Sequence, residues 1–89
     1  MQKDEVVLLH LTLFQVKKIL EDAGFSSPYF REYDELGIEP NKINRSKLDH
    51  KKAIFLLCRG ISEILNTKQP KDLIENEKFR NLILSATVR

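Results

Sequence analysis

Two histidines, His10 and His50, have the most versatile chemistry in this sequence, and the 89-residue chain contains no others. Both lie among apolar residues that recur at helical spacing. His10 lies at the seam between two apolar faces of the N-terminal helix, and His50 lies one turn before Ala53 and two turns before Leu57. Imidazoles in such positions could bind a metal, transfer protons or switch with pH. The alternative is that each ring packs in the core and donates one hydrogen bond.

A metal site on these histidines would need further ligands. A closed zinc site takes four ligands from Cys, His or carboxylate side chains, and one subunit offers Glu5 and Asp49 beside the two histidines. No CxxC or HxxxH spacing brings them together, although a two-fold axis could supply two histidines from each subunit. The sequence therefore favours a structural role for both rings, with no cofactor evident, and leaves a divalent metal as the alternative.

A basic segment precedes and begins the helix that carries His50. Its basic residues are Lys42, Arg45, Lys47, Lys51 and Lys52, against one acidic residue, Asp49. Unpaired backbone N–H groups at a helix N-terminus bind anions, and the Ser46 hydroxyl and these cations would assist. Phosphate or a nucleic-acid backbone is the anion that such a helix end would bind. The alternative is a solvated face whose cations pair with the acidic stretch at residues 32–39.

Polar residues near the same helix end lead to a more specific expectation. We predict that Tyr33, Ser46 and Lys47 line one polar pocket with both histidines, and that one ring nitrogen of His50 faces its polar side. A buried imidazole needs a hydrogen-bond partner there, because an unpaired buried polar group costs roughly 1–3 kcal/mol.

The composition is that of an ordinary globular chain. Hydrophobic residues make up 42% and charged residues 31%, and the net charge of +2 gives no overall field that would demand nucleic acid. The single cysteine, Cys58, fits a reducing compartment, and its apolar neighbours in AIFLLC predict that it is buried. The N-terminus lacks the features of a signal peptide, and no apolar run reaches the roughly 20 residues of a membrane span. We therefore expect a cytoplasmic protein with no membrane partner.

Apolar periodicity predicts an all-α fold that begins with a long helix over residues 3–23. The apolar stripe of this helix is formed by Val6, Leu9, Leu13, Val16 and Leu20, and a second apolar patch by Val7, Leu11 and Phe14. A short middle helix over residues 28–36 follows, with Ser27 as its N-cap, Pro28 as its first residue and Gly37 at its end.

The second long helix is predicted to begin at residues 44–46 and to end near residue 65. Ser46 and Asp49 have the spacing of a capping signal. A loop with the sequence NTKQP then leads to a C-terminal helix over residues 70–86, interrupted near Asn76. The result is a small bundle of three to four helices. We divide it into a helical core domain, residues 1–66, and a C-terminal helical extension, residues 67–89.

Both long helices carry more apolar surface than one chain of this length would cover. Exposed apolar patches of more than a few hundred Å² are rare on monomers, so a homodimer through the two long helices would bury the surplus. The alternative is that the C-terminal helix covers this surface within one subunit.

Two segments of the sequence are similar to a known family. The segments "KDEVVLLH" and "YDELGIEPNKINRSKLDHKKAIFLL" resemble an uncharacterised archaeal family, number fifty-eight of the UPF series. The matching residues are Glu5, Leu9, His10, Tyr33, Leu36, Gly37, Ile38, Pro40, Ser46, Lys47, His50, Lys51, Ala53, Ile54 and Phe55. The resemblance covers residues 1–66 and implies a cytosolic helical protein without an assigned activity. Many relatives have a histidine at the position of Asn44, which weakens a metal site based on a histidine cluster.

Two hypotheses for the function follow. The first is a non-enzymatic, dimeric interaction or regulatory module with an anion-binding helix end at Lys42, Arg45, Ser46, Lys47 and Lys51. The second is a small metal- or ligand-binding protein that uses His10 and His50, with Tyr33 nearby. No catalytic or cofactor motif accompanies either one, which favours a role other than catalysis.

Overall fold

The computed structural model describes residues 1–25, 28–67 and 75–87, and within these ranges the chain is all-helical. The four helices are α1 (Lys3–Asp22), α2 (Arg31–Leu36), α3 (Lys47–Thr67) and α4 (Glu77–Thr87). The predicted all-α fold is confirmed, including the two long helices, the short middle helix and the C-terminal helix. None of the helices in the described part of the chain is both long and apolar enough to cross a bilayer.

Local signals fix the ends of α1 close to the predicted residues. The Glu5 carboxylate accepts the backbone N–H of Gln2 at 2.8 Å, which satisfies one of the free donors at the helix start. Asp4 and Glu5 also place negative charge beside the positive end of the helix dipole. At the other end, Ala23 is the C-cap and Gly24 adopts a positive φ of 100°, so the chain leaves the helix where the glycine predicts.

The short helix α2 starts later than predicted. Pro28 lies in a turn, where its carbonyl accepts the Arg31 N–H at 3.2 Å, and α2 begins at Arg31. The N-cap predicted at Ser27 lies outside the described residues. Gly37 ends the helix in the left-handed conformation, with φ of 72°, as expected for a C-terminal glycine.

Side-chain caps also start the two later helices. The Ser46 hydroxyl accepts the Asp49 N–H at 3.1 Å, so α3 begins at Lys47, and it continues to Thr67, two residues beyond the predicted end. The Asn76 side chain accepts the Phe79 N–H at 2.8 Å and α4 begins at the next residue, which agrees with the predicted interruption. Residues 68–74, which include most of the NTKQP loop and the predicted start of the last helix, lie outside the described residues.

The core forms where α1 and α2 pack against α3, and α4 contacts α1. Its buried residues are Leu20, Phe30, Tyr33, Ala53, Leu57 and Ile64, and Phe79 of α4 packs against them. The division into a core of residues 1–66 and an extension stays a prediction.

Gly60 allows α3 to approach the turn before α2 closely. A Cβ atom at Gly60 would lie 2.6 Å from the Tyr29 carbonyl oxygen and 2.7 Å from the Phe30 ring. Phe30 is fully buried, and the missing side chain of Gly60 leaves room for its ring. This glycine in a helix interior is therefore explained by packing, which outweighs its low helix propensity.

Two expectations about burial were wrong. The centre of the α1 interface is formed by His10 and Lys17, both buried, whereas Leu9 is exposed. On α3, Cys58 was expected to be buried in the run AIFLLC, but it is exposed, and Phe55 of the same run is 64% exposed. At about 100° per residue, both lie well around the helix from the face that buries Leu57. The face of α3 that carries His50, Ala53 and Leu57 is nevertheless buried, as the spacing of its apolar residues indicated.

Candidate functional site

The two histidines meet at the α1–α3 interface. The Nδ1 atoms of His10 and His50 are 2.8 Å apart, and both side chains are fully buried. The rings cross at 65° with their centroids 5.1 Å apart. Each ring reaches this point because it occupies the buried face of its helix, four residues after Val6 on α1 and three residues before Ala53 on α3.

The outer nitrogen of each histidine also has a partner. The Nε2 atom of His10 lies 2.8 Å from the hydroxyl of Tyr33 on α2, and the Nε2 atom of His50 lies 2.9 Å from the backbone carbonyl of Lys42. A continuous chain of three hydrogen bonds therefore links α2, α1, α3 and the loop before α3. We refer to Tyr33, His10, His50 and the Lys42 carbonyl as the histidine chain.

The Lys42 carbonyl at one end of the histidine chain determines the direction of every hydrogen bond in it. The Lys42 carbonyl can only accept, so the His50 Nε2–H donates to it. In the neutral ring the His50 Nδ1 then accepts, and the donor is the Nδ1–H of His10. The Nε2 of His10 is consequently an acceptor, and the Tyr33 hydroxyl donates to it. The two histidines are thus assigned opposite tautomers.

Burial keeps two members of the histidine chain, His10 and Tyr33, uncharged at neutral pH. It lowers the pKa of His10 from 6.5 to about 4, and the adjacent His50 adds to this effect. Burial is also the largest cause of the raised pKa of the Tyr33 hydroxyl, and the negative charges of Glu39 and Asp34 raise this pKa further. Removal from water disfavours the charged form of both groups, the imidazolium of His10 and the phenolate of Tyr33. At neutral pH, His10 is therefore an uncharged hydrogen-bonding group and Tyr33 keeps its proton.

The histidine chain accommodates at most one added proton without rearranging. A proton on His10 Nε2 could point to the Tyr33 oxygen, which still has lone pairs. A further proton on His50 Nδ1 would place two N–H groups against each other across 2.8 Å. Among the described residues, no buried side-chain nitrogen or oxygen lacks a hydrogen-bond partner. The arrangement is therefore a complete network with one defined direction.

A metal would have to compete with this network for its ligands. All four ring nitrogens already face a hydrogen-bond partner, so a metal bound at any of them would displace a bond of the histidine chain. The described part of the chain contains no group of three or more His, Cys, Asp or Glu side chains arranged to hold a metal ion. The geometry supports the structural interpretation of both histidines.

A buried lysine extends the polar interior and was missed by the sequence analysis. The Lys17 ammonium lies 2.9 Å from the Glu21 carboxylate and 3.4 Å from that of Asp34. It also lies 5.5–5.7 Å from the ring centroids of three aromatic residues, Phe14, Phe30 and Tyr33, within the range of cation–π attraction. The available signal was its spacing of seven residues from His10, which places both on one helix face.

The basic residues before and within α3 make different contacts. Arg45 forms an ion pair with Asp49 at 3.2 Å, and this contact is the largest cause of the lowered pKa of the Asp49 carboxyl. The exposed Ser46 hydroxyl caps α3, and Lys47 is half-buried. Lys42 joins the histidine chain through its carbonyl oxygen. Of the residues expected in one polar pocket, the structure thus brings together His10, His50 and Tyr33, in a closed interior.

Two exposed apolar surfaces flank the interior. The first, the α1 face, comprises two adjoining clefts of about 400 and 440 Å³ lined by Lys3, Asp4, Val7, Leu8, Leu11, Pro40, Asn41 and Ile43. The second, the α3 groove, is a cleft of about 400 Å³ lined by Leu36, Leu48, Lys51, Lys52, Phe55 and Leu56. Lys51, expected at an anion site, therefore lines an apolar groove.

Comparison with known proteins extends the similarity beyond the motifs. The model of a family described as uncharacterised protein family UPF0058 matches residues 1–84. A UPF0058 protein of Archaeoglobus fulgidus is 53% identical over 85 residues, which cover 96% of this chain and 91% of the relative. UPF0058 proteins of Methanothermobacter thermautotrophicus and Methanocaldococcus jannaschii are 43% and 41% identical, covering 85% and 93% of this chain and 74% and 88% of the relatives. No solved structure matches the chain.

Proposed function

The chain belongs to the uncharacterised protein family UPF0058, and we propose that it is a non-enzymatic interaction module that works as a homodimer. The family description assigns no activity, so the proposal rests on the geometry. The α1 face is the observation that carries it. Leu8 is 63% exposed and Ile43 67% exposed, and Leu11, which lines the same cleft, is also exposed. An apolar surface of this kind is rare on a monomer and typical of an interface.

The charges of the α1 face suit contact with a second copy. In a two-fold symmetric dimer the same surface is used by both subunits, so it must be compatible with itself. The two charged residues of the α1 face, Lys3 and Asp4, have opposite signs. Two copies that meet there bring no net like charge together. This balance favours the second copy as the occupant of the α1 face.

The α3 groove is less suited to the same role. Lys51 and Lys52 line it, and a symmetric contact would bring four ammonium groups together, which is unfavourable in a desolvated interface. The homodimer expected through both long helices is therefore proposed through α1 and the loop at Ile43.

The histidine chain supports the module by fixing its shape. It ties α1 to α3, α2 and the loop of Lys42, and the same loop carries Ile43 to the α1 face. This role agrees with the full burial of both rings. The anion-binding helix end has less support, because Ser46 is used as a cap and Arg45 pairs with Asp49. A cytoplasmic location is part of the proposal, since the free Cys58 thiol is exposed and would stay reduced there.

Sedimentation equilibrium of the full chain tests the dimer. The natural chain should sediment as a dimer at about 100 µM, a concentration that detects even weak association. Leu8→Glu should yield a monomer, because it places a carboxylate in the centre of the apolar contact. The matched control is Leu65→Glu, at another exposed leucine on a long helix outside the α1 face, and it should remain dimeric. A monomeric natural chain, or equal dimerisation of both variants, contradicts the proposal.

A further inference from the structure

The α3 groove is an exposed apolar surface that the proposed dimer leaves open. Leu48 is 61% exposed and Phe55 64% exposed, and the half-buried Leu36 and Leu56 complete the apolar lining. We propose that the α3 groove binds an acidic amphipathic helix of a partner protein. The proposal rests on the proposed function, because it gives the interaction module its partner, but it uses a different surface from the α1 face.

The spacing of the groove residues suits a helix as the occupant. Leu48 and Phe55 are seven residues apart, so they lie two turns apart on nearly the same line along α3. A partner helix that lies along this line would meet both side chains with its own apolar residues at the same seven-residue spacing. Helices that bind in this way present an apolar stripe to a hydrophobic groove. The extent of the apolar surface along α3 is thus matched by two turns of a second helix.

The charges of the groove indicate which residues should lie beside the apolar stripe of the partner helix. Lys51 and Lys52 lie on opposite sides of the line from Leu48 to Phe55, at about 100° per residue. Neither lysine forms an ion pair with a described residue, and no acidic side chain lines the groove. A partner helix would complement both edges with Asp or Glu beside its apolar stripe, as charged flanking positions do in coiled coils. A basic helix would be repelled at both edges.

A nucleic acid would fit this surface poorly. Its phosphates could meet Lys51 and Lys52, but Leu48 and Phe55 between the lysines would face a polar, hydrated backbone. An apolar line flanked by cations is complemented by an apolar stripe flanked by anions. An anionic membrane surface has the same pair of properties, and the experiment therefore includes it as a competing outcome.

A display library of amphipathic helices, selected against the full chain, provides the test. Each peptide carries a fixed leucine stripe at seven-residue repeats over about five helical turns, with randomised flanking positions. We expect selection to enrich Asp and Glu beside the stripe. Binding of a recovered peptide, measured by fluorescence anisotropy, should weaken when salt is raised, because exposed charge pairs are screened.

Variants identify the surface that the peptide occupies. Phe55→Glu, and the pair Lys51→Glu with Lys52→Glu, should each weaken peptide binding about tenfold or more, as loss of a central contact does. The matched controls are Leu65→Glu and Lys78→Glu, which change an exposed leucine and an exposed lysine outside the groove, and they should bind as the natural chain does. Circular dichroism of every variant separates loss of binding from loss of folding.

Three results would overturn the proposal. The first is selection that recovers no peptide or enriches neutral or basic flanks. The second is peptide binding that the groove variants leave unchanged. The third is binding to vesicles of phosphatidylserine and phosphatidylcholine that Phe55→Glu abolishes, without a recovered peptide, which would assign the groove to a membrane. Sedimentation of the same variants keeps the two proposals apart. A monomeric chain that binds acidic helices refutes only the dimer, and a dimer that binds none refutes only the groove.

Discussion

His10 and His50, forty residues apart in the chain, share a buried hydrogen bond between their Nδ1 atoms across the α1–α3 interface. Such a bond requires one ring to donate and the other to accept, so two neutral rings in this contact have opposite tautomers. Tyr33 and the Lys42 carbonyl complete the histidine chain at its two ends. The two histidines therefore join four segments of the polypeptide, and breaking the bond between them leaves buried polar atoms unpaired.

Replacing His50 should destabilise the fold. His50→Ala leaves the His10 Nδ1–H and the Lys42 carbonyl without their partner, and it should lower the free energy of unfolding by roughly 1–3 kcal/mol. His50→Phe restores most of the volume but neither hydrogen bond, so it should not recover the loss. Urea denaturation measures both. Full recovery by phenylalanine would mean that the ring contributes through packing alone.

Removing one hydroxyl tests the other end of the histidine chain. Tyr33→Phe deletes the donor to His10 Nε2, and we expect it to lower the free energy of unfolding by about 1 kcal/mol or more. Tyr29→Phe is the matched control, because the half-buried Tyr29 makes no hydrogen bond through its hydroxyl to a described residue. Equal effects of the two substitutions in thermal melts would argue against the Tyr33–His10 bond.

The lowered pKa of His10 predicts a loss of stability in mild acid. In the folded state this pKa is about 4, whereas the unfolded chain binds the proton near the ordinary value of 6.5. Below pH 6.5 the unfolded state therefore binds more protons, and the free energy of unfolding falls until the folded ring is also protonated near pH 4. The decrease between pH 7 and pH 5 should be roughly 2 kcal/mol.

A variant without the His10 imidazole provides the reference for this pH dependence. His10→Gln removes the titrating group, so its free energy of unfolding should change less between pH 7 and pH 5 than that of the natural chain. Denaturation at each pH compares the two slopes, independently of the lower starting stability of the variant. Identical slopes would show that His10 does not carry the effect.

Gly60 should respond to alanine in the direction opposite to an ordinary helix glycine. Gly→Ala in an exposed helix interior usually stabilises by about 1 kcal/mol. Here the added Cβ would meet the Tyr29 carbonyl and the Phe30 ring at 2.6–2.7 Å, so we expect a loss of roughly 1–3 kcal/mol, as in overpacked cores. Ser62→Ala, at an exposed position two residues later, should change the free energy of unfolding by less than about 0.5 kcal/mol. A stabilised Gly60→Ala would refute the close approach.

The helix ends were predictable because short-range signals determine them. Ser46, Gly37 and Asn76 act on backbone groups within one turn, and each ends or starts a helix in the structure. On α1, the apolar stripe correctly included the buried Val6 and Leu20, but it did not reveal that the buried face is centred on His10 and Lys17. The Leu9 stripe is more apolar than the face of His10 and Lys17, but the latter two find partners on α2 and α3 that depend on tertiary packing.

The histidines were identified as residues of interest, but their contact required the structure. Their positions on apolar helix faces indicated burial, whereas the distance between Nδ1 atoms depends on the relative rotation of α1 and α3. The contribution of Lys42 was unpredictable for a similar reason, because its backbone carbonyl, not its charge, meets His50. The exposure of Phe55 and Cys58 likewise follows from the rotation of α3 that buries His50.

Nitrogen NMR of the natural chain with ¹⁵N-labelled histidine tests the histidine chain most directly. The chemical shifts distinguish a ring nitrogen that carries a proton from one that accepts a hydrogen bond, and a scalar coupling between the two Nδ1 atoms reports the bond itself. At neutral pH we expect protons on Nδ1 of His10 and Nε2 of His50, together with a coupling across the pair. Rings that exchange between tautomers, or that show no Nδ1–Nδ1 coupling, would contradict the account.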